Sequence, residues 1–354
     1  MQELTPDLVH SKLSGATVLI TGGTGSFGST MARFLLNNVP GVEEIRIFSR
    51  DENKQDDMRR NLNSSKVKFY LGDVRDSQSI TTACKGSNYI FHAAALKQVP
   101  STEFFPSQAI STNILGSINT IEAALTCGVG SVVCLSSDKA VYPINAMGMT
   151  KALMEKIAQS YSRVNKKNNS CIVSITRYGN VMMSRGSIIP LLVTQALSGK
   201  KLTITDPNMT RFLMSLDESV DLVLNAFINA EPGDLFVRKS PASSIGNLAT
   251  AIQEICKSNS ADTEVIGIRH GEKIFETLVG SEEMAHSEEN GDYFRIKIDS
   301  RDLNYSDYFQ SRKKLPTTRG NAYTSDNTSQ LSVNEIKELL LNTSGFSEML
   351  VNAQ

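Results

Sequence analysis

Residues 16–38, ATVLITGGTGSFGSTMARFLLNN, run from an apolar strand through a glycine-rich turn into a helix. Gly22, Gly25 and Gly28 give the spacing G-x-x-G-x-x-G. Glycine is needed where the backbone turns tightly, where it approaches a pyrophosphate, and where helix and strand pack closely. The helix start adds unpaired N–H groups and the positive end of its dipole. A glycine-rich turn alone is weak evidence. Set between a strand and a helix, it predicts a dinucleotide cradled by Gly22, Thr24, Gly25, Ser26, Phe27 and Gly28.

Outward from this stretch, short apolar runs alternate with helical segments up to about Arg177. The candidate strands begin at Ala16, Glu44, Val67, Asn88, Ser131 and Cys171. Most are nearly continuous apolar runs, as expected of parallel strands covered on both faces. The predicted architecture is α/β: a Rossmann, doubly wound parallel sheet with a smaller α+β substrate-binding lobe and a C-terminal extension. The expected division is residues 1–178, mainly nucleotide binding; 179–300, mainly the smaller lobe, with some chain returning to the first domain; and 301–354, the extension. In the smaller lobe LTIT, DLFVR and EVIGIR read as short strands, and Leu216–Asn229 and Ser244–Cys256 as helices. The extension is expected to wrap the body and end in one helix.

Composition narrows the function. A formal net charge of -1 in 354 residues argues against a nucleic-acid binder, which usually carries a basic excess. The five cysteines show no CxxC spacing and read as free thiols in a reducing cytosol. None of the four histidines pairs with another His or Cys at metal-ligand spacing, so no metal site is expected. MQELTPDLVHSKLSG lacks the apolar core of a signal peptide, and no run approaches a membrane span. A cytoplasmic protein without a membrane partner is the expectation.

The end of the second strand bears on which dinucleotide is bound. NAD-binding folds place Asp or Glu there for the ribose 2′-hydroxyl. This chain has Ser49 and Arg50, a hydroxyl and a guanidinium suited to a 2′-phosphate, although Arg50 could instead be a solvated arginine beside Asp51 and Glu52. NADP is the expected cofactor. Asp73 and Val74 would meet the adenine edge. Ala93, Ala94 and Ala95 would let the cofactor lie close, and Lys97 could reach a phosphate or the nicotinamide ribose.

TGGTGSFG, SRDENKQ, GDVRD, HAAALKQVP, TN-x-LG, SSDKA, RYGNV, RGS-x-IP, MTRF and RHGEK occur in this order along nearly the whole chain. Together they resemble the extended short-chain dehydrogenase/reductases, in particular the bacterial nucleotide-sugar 4,6-dehydratases that invert C5. YPINAMGMTKALMEK, RDLNYSDYF and YTSDNTSQL are similar to one branch of polysaccharide biosynthesis proteins. That branch comprises capsule and O-antigen enzymes acting on UDP-N-acetylglucosamine on the route to UDP-N-acetyl-L-fucosamine. Similar sequences have also been called UDP-glucose 4-epimerases. The resemblance implies oxidation at C4, loss of water across C5 and C6, return of hydrogen to C6 and inversion at C5, with epimerisation at C3 as a further capacity. It also implies a tightly bound, recycled NADP, contacts to it from Lys54 and Asn113, and a homo-oligomer, with a hexamer as one form.

Short-chain dehydrogenases use Ser or Thr together with Tyr and Lys at i and i+4 on one helix face. Ser137 and Lys151 fit the pattern, but the tyrosine position holds Met147. A thioether cannot exchange a proton, and Tyr142 lies nine residues before Lys151, beside Pro143. Asp138 and Lys139 stand at the strand end, where such sheets do their chemistry. In the resembling dehydratases such a pair eliminates water, which assigns Lys139 as the C5 base and Asp138 as the C6 acid. Lys139, Lys151, Tyr142 or a water relay could take the 4-hydroxyl proton, and Lys139 serving twice is the leading reading.

For the UDP-sugar, Asn180 after the sixth strand could bond the diphosphate while Tyr178 flanks the nicotinamide. Arg211 and Arg269 suit phosphates, and Glu272 could accept from the uridine ribose. Lys97 and Arg185 join them as candidates, with His270 and Glu103 weaker. The leading reading is a UDP-N-acetylglucosamine 4,6-dehydratase. The alternatives are a UDP-glucose or UDP-N-acetylglucosamine 4-epimerase and, in a different class, an inactive NADP-binding regulator.

Overall fold

The glycine-rich turn sits between β1 (Thr17–Thr21), whose five residues are all buried, and a helix over Ser26–Asn38. The chain is described here from a computed structural model covering residues 1–165, 171–257, 263–299, 320–343 and 345–352. Five further strands follow: β2 (Glu44–Ser49), β3 (Val67–Leu71), β4 (Tyr89–His92), β5 (Ser131–Leu135) and β6 (Ile172–Arg177). Beyond them come β7 (Leu202–Ile204), β8 (Thr210–Phe212), β9 (Leu235–Arg238), β10 (Ala242–Ser244), β11 (Thr263–Val265), β12 (Thr277–Val279), β13 (Ser287–Asn290), β14 (Tyr293–Ile296) and β15 (Tyr323–Thr324).

Nine strands form one sheet in the order β13-β14-β9-β6-β5-β4-β1-β2-β3. From β3 to β9 neighbouring strands are parallel. The order reverses direction beside β1, the switch point at which doubly wound sheets open a crevice for ligands. Helices on both faces bury β1, β4 and β5 almost completely, and the sheet is the shared wall of two cores. The fold is Rossmann-like, with a smaller α+β lobe and C-terminal segments packed on it.

Three features depart from the expected layout. DLFVR becomes β9 of the main sheet rather than a strand of the smaller lobe. The sheet then continues into an antiparallel hairpin of β13 and β14. β13 is Ser-Glu-Glu-Asn, which no propensity marks as a strand; its pairing with β14 makes it one. The chain also ends in two helices, Val333–Leu341 and Phe346–Asn352, whose Ile336, Leu340 and Phe346 join Leu192, Leu248 and Ile252 in the core of the smaller lobe. The RDLNYSDYF motif lies outside the described residues.

At the end of β4, His92 is buried and bridges Thr21 Oγ1 (2.8 Å) and Ser117 Oγ (2.9 Å). Burial, with the Lys151 charge adding, pushes its imidazole down to about 3. An unfolded chain titrates this group near 6.5. The neutral ring therefore contributes stability fully above pH ~6.5, and that stability is lost as pH falls towards 3. Urea unfolding between pH 7 and 4 should show a steep acid loss, and His92→Gln should flatten it. An equally steep loss in the variant rejects His92 as its source.

Candidate active site

A cleft of about 1150 Å³ opens along the C-terminal ends of β1 to β6. That is slightly more than the ~1,000 Å³ that single-ligand pockets reach. One end is lined by Gly22, Thr24, Gly25, Ser26, Phe27, Gly28, Ser49, Arg50, Lys54, Asp73 and Val74. The middle holds Ala93 to Ala95, Lys97, Ser137, Asp138, Lys139, Met147 and Tyr178, and the far end Asn180, Arg185, Leu216, Arg269, His270 and Glu272. Most of them lie in the loops and first helical turns that follow β1 to β6, so the sheet fixes their order.

The glycine-rich end fits a dinucleotide. Gly22 has φ +65°, and a Cβ there would meet the Ala94 backbone at 2.9 Å; a Cβ on Gly28 would meet Gly23 Cα at 2.5 Å. No side chain caps the helix that starts at Ser26, which leaves its first N–H groups for an anion. Thr21 Oγ1 accepts from Ala94 N (3.3 Å) and holds the opposite wall. Across the mouth, Arg185 N donates to Ser26 Oγ (3.1 Å), so the 184–187 segment lies against the glycine turn. Arg50 is half exposed and 3.5 Å from Asp73, while Lys54 pairs with Asp51 at 2.5 Å. Asp73 also accepts from Arg75, whose bonds outweigh burial and lower its carboxyl.

In the middle, Ser137 caps a short 3₁₀ turn over Asp138–Ala140 by accepting from Lys139 N (3.2 Å). That turn aligns the acid–base pair: Lys139 Nζ lies 3.1 Å from Asp138 Oδ1. Asp138 is 1% exposed, and its Oδ2 has no partner. Burial raises the Asp138 carboxyl against the pull of Lys139, and nearby Glu276 adds to the rise. Burial lowers Lys139, but Asp138 and Glu276 more than offset this and hold it above the ordinary lysine range. Burial also raises the Tyr178 phenol, with Asp138 adding, and its ring stacks on Phe27 at 5.8 Å between centroids.

Five expected contributors do not line the cleft. Lys151 is buried and donates to the Leu135 carbonyl (2.6 Å); burial pushes it down to about 8. With methionine at position 147 it has no phenol to face. Asn113 gives its amide to Leu96 O and Thr150 Oγ1 and accepts from Leu96 N, so it braces the 96–98 loop from behind. Arg211 gives its guanidinium to the carbonyls of Thr210, Lys273 and Ile274. The Tyr142 hydroxyl donates to Glu282 (2.6 Å) and accepts from Ser281 N (2.9 Å). Glu103 accepts from Ala146 N (2.6 Å) at the start of the helix Ala146–Asn165. Among the described residues no group of three His, Cys, Asp or Glu is placed to hold a metal, and no helix is long and apolar enough to cross a membrane.

Behind the cleft sits a clamp that motif reading missed. Arg177, at the end of β6, bonds Glu155 twice (2.8 and 2.6 Å), Glu283 twice (2.7 Å each) and the Leu278 carbonyl (3.1 Å). Ser136 Oγ donates to the same Glu155 (2.5 Å). The clamp ties β6, the helix Ala146–Asn165 and the 278–283 segment beneath the Asp138–Lys139 turn.

Residues 18–298 match the family described as polysaccharide biosynthesis protein, and residues 299–345 match its C-terminal part. The chain belongs to the polysaccharide biosynthesis protein family. Its relatives include a protein of Rickettsia bellii (strain RML369-C) named UDP-glucose 4-epimerase, 56% identical over 340 residues, 95% of this chain and 98% of that one. A similar solved structure is that of Pen from Bacillus thuringiensis, 32% identical with a TM-score of 0.84 over 94% of this chain and 99% of the other. DesIV, a dTDP-glucose 4,6-dehydratase from Streptomyces venezuelae solved with NAD and TYD, is 22% identical with a TM-score of 0.67 over 73% of this chain and 86% of its own; it shares the fold. The relatives at 54–56% identity carry the name UDP-glucose 4-epimerase.

Proposed function

We propose that this polysaccharide biosynthesis protein is an NADP-dependent UDP-N-acetylglucosamine 4,6-dehydratase that inverts C5. The observation that carries the reading is the pair formed by buried Asp138 and partly exposed Lys139 just after β5, in the middle of the cleft between the glycine turn and Glu272. The bound dinucleotide would supply reversible acceptance of hydrogen from sugar C4, held by the glycine turn, Ser49, Arg50 and Lys54. Arg269, Arg185 and Asn180 would hold the UDP-sugar, with Lys97 between the two ligands. Lys139 takes the proton of the 4-hydroxyl, passes it to solvent through the open cleft, and then takes the proton from C5. Asp138, its carboxyl raised by burial, protonates the departing C6 hydroxyl. Shift of one proton from the Lys139 ammonium to Asp138 turns the resting ion pair into the amine and acid these roles need. Met147 adds an apolar wall and no proton chemistry. The capsule or O-antigen setting and a homo-oligomer, up to a hexamer, belong to the same proposal.

A 4-epimerase is the second reading, favoured by the name of the relatives at 56% identity. That reaction needs the C4 step alone and leaves a buried acid beside Lys139 without a task. Incubation with UDP-N-acetylglucosamine or UDP-glucose and NADP separates the two. A product lighter by one water supports the dehydratase, and a product of unchanged mass but inverted C4 supports the epimerase. Running NAD in parallel tests the cofactor, since equal turnover with NAD would reject the part given to Ser49 and Arg50.

A further inference from the structure

We propose that Glu276 is a positioning residue that keeps the Lys139 ammonium within reach of C5 while Asp138 gives up and regains its proton. The inference rests on the dehydratase reading and deepens it. Glu276 is 3% exposed and immediately precedes β12. Its backbone N–H donates to Ser325 Oγ (2.9 Å), which donates to the Thr210 carbonyl (3.0 Å), so the residue is fixed from behind. Its Oε1 lies 3.6 Å from Lys139 Nζ, on a different element from Asp138, and its Oε2 has no partner. The other cations around it are engaged. Arg211 Nε stands 3.9 Å away with its remaining nitrogens on backbone carbonyls, and Lys273 donates to Val141 O (2.6 Å).

The division of labour follows from the proton count. In the elimination the C5–H bond breaks, and its electron pair becomes the C5=C6 double bond. The C6–O bond breaks, and the hydroxyl leaves as water with the Asp138 proton. The C5 proton goes to the Lys139 amine, so a neutral pair ends as ammonium and carboxylate. Asp138 cannot be both a variable proton carrier and a constant anchor. Glu276 stands on a separate element and takes no part in the proton transfers, so it can hold Nζ throughout. The charged and titratable groups facing this centre are Asp138 from the same turn, Glu276 and Lys273 from the approach to β12, and Arg211 from β8. Lys97 and Tyr178 face it from the loops after β4 and β6.

The test compares wild type with Glu276→Gln and Glu276→Asp by two readouts. The first is the pH dependence of water loss from the UDP-sugar. Both limbs of the Gln variant should move to lower pH by about one unit, the smaller size of a neighbouring charge effect. Turnover should fall about tenfold at neutral pH, with KM for the nucleotide sugar little changed and partial recovery in Glu276→Asp. The second is the pH dependence of acetylation of Lys139 by acetic anhydride, read by peptide mass, which needs no turnover. Its midpoint should fall in the Gln variant. Unmoved limbs, or an unmoved acetylation midpoint, overturn the proposal. If the wild type loses no water from any UDP-sugar, the dehydratase reading fails by itself, and acetylation still decides whether Glu276 governs Lys139.

Discussion

Replacing Lys139 by alanine is expected to lower product formation by about 10²–10⁴-fold, the range for loss of a positioned acid or base. The dissociation constant for NADP should stay nearly the same, because the glycine turn and the helix start at Ser26 lie on the other side of the cleft from this side chain. The reason for so large an effect is the lack of a substitute. Met147 offers no proton, Lys151 lies outside the cleft lining and bonds the Leu135 carbonyl, and Tyr142 is bonded to Glu282. Removal also leaves Asp138 and Glu276, both buried, without the cation between them. Urea unfolding of the variant must therefore accompany the kinetics, so that a folding defect is not read as chemistry. A folded variant that keeps most of its turnover would remove Lys139 from the mechanism.

The second large effect is on stability. Arg177→Ala should cost about 3–5 kcal/mol, the penalty for breaking a buried ion pair from one side. The wild-type guanidinium spends every N–H on a partner, four of the bonds going to two carboxylates and one to a carbonyl. Alanine would leave Glu155, which is fully enclosed, facing Glu283 with no cation between them. Lysine keeps the charge but has no planar fork, so Arg177→Lys should fall between the two. Denaturant midpoints of the three proteins check this. An Arg177→Ala midpoint equal to that of the wild type would mean that the clamp contributes nothing net.

The first six strands and the glycine turn were readable from sequence because burial on both faces forces apolar runs, and because a pyrophosphate cradle leaves no room for side chains. The Asp138–Lys139 pair was readable from its place at a strand end. Long-range partners were not. Nothing local tells that Arg211 faces three carbonyls, or that Asn113 braces the loop at Leu96. Glu276 did leave a trace, as the lone acid in the run IFETLV, where a buried charge needs a partner elsewhere. β13 had none, since four polar residues become a strand only because β14 offers an edge.

β15 pairs with β12, the Tyr323 hydroxyl bridges both backbone groups of Ser240, and Ser325 holds the backbone of Glu276. Tyr323, Thr324 and Ser325 leave the ribosome after every strand of the nine-stranded sheet. The nucleotide-binding sheet can assemble during synthesis, but the wall behind Lys139 is finished only when the C-terminal segment threads back to β12. A newly made molecule should therefore be able to hold its dinucleotide before it can act on a sugar.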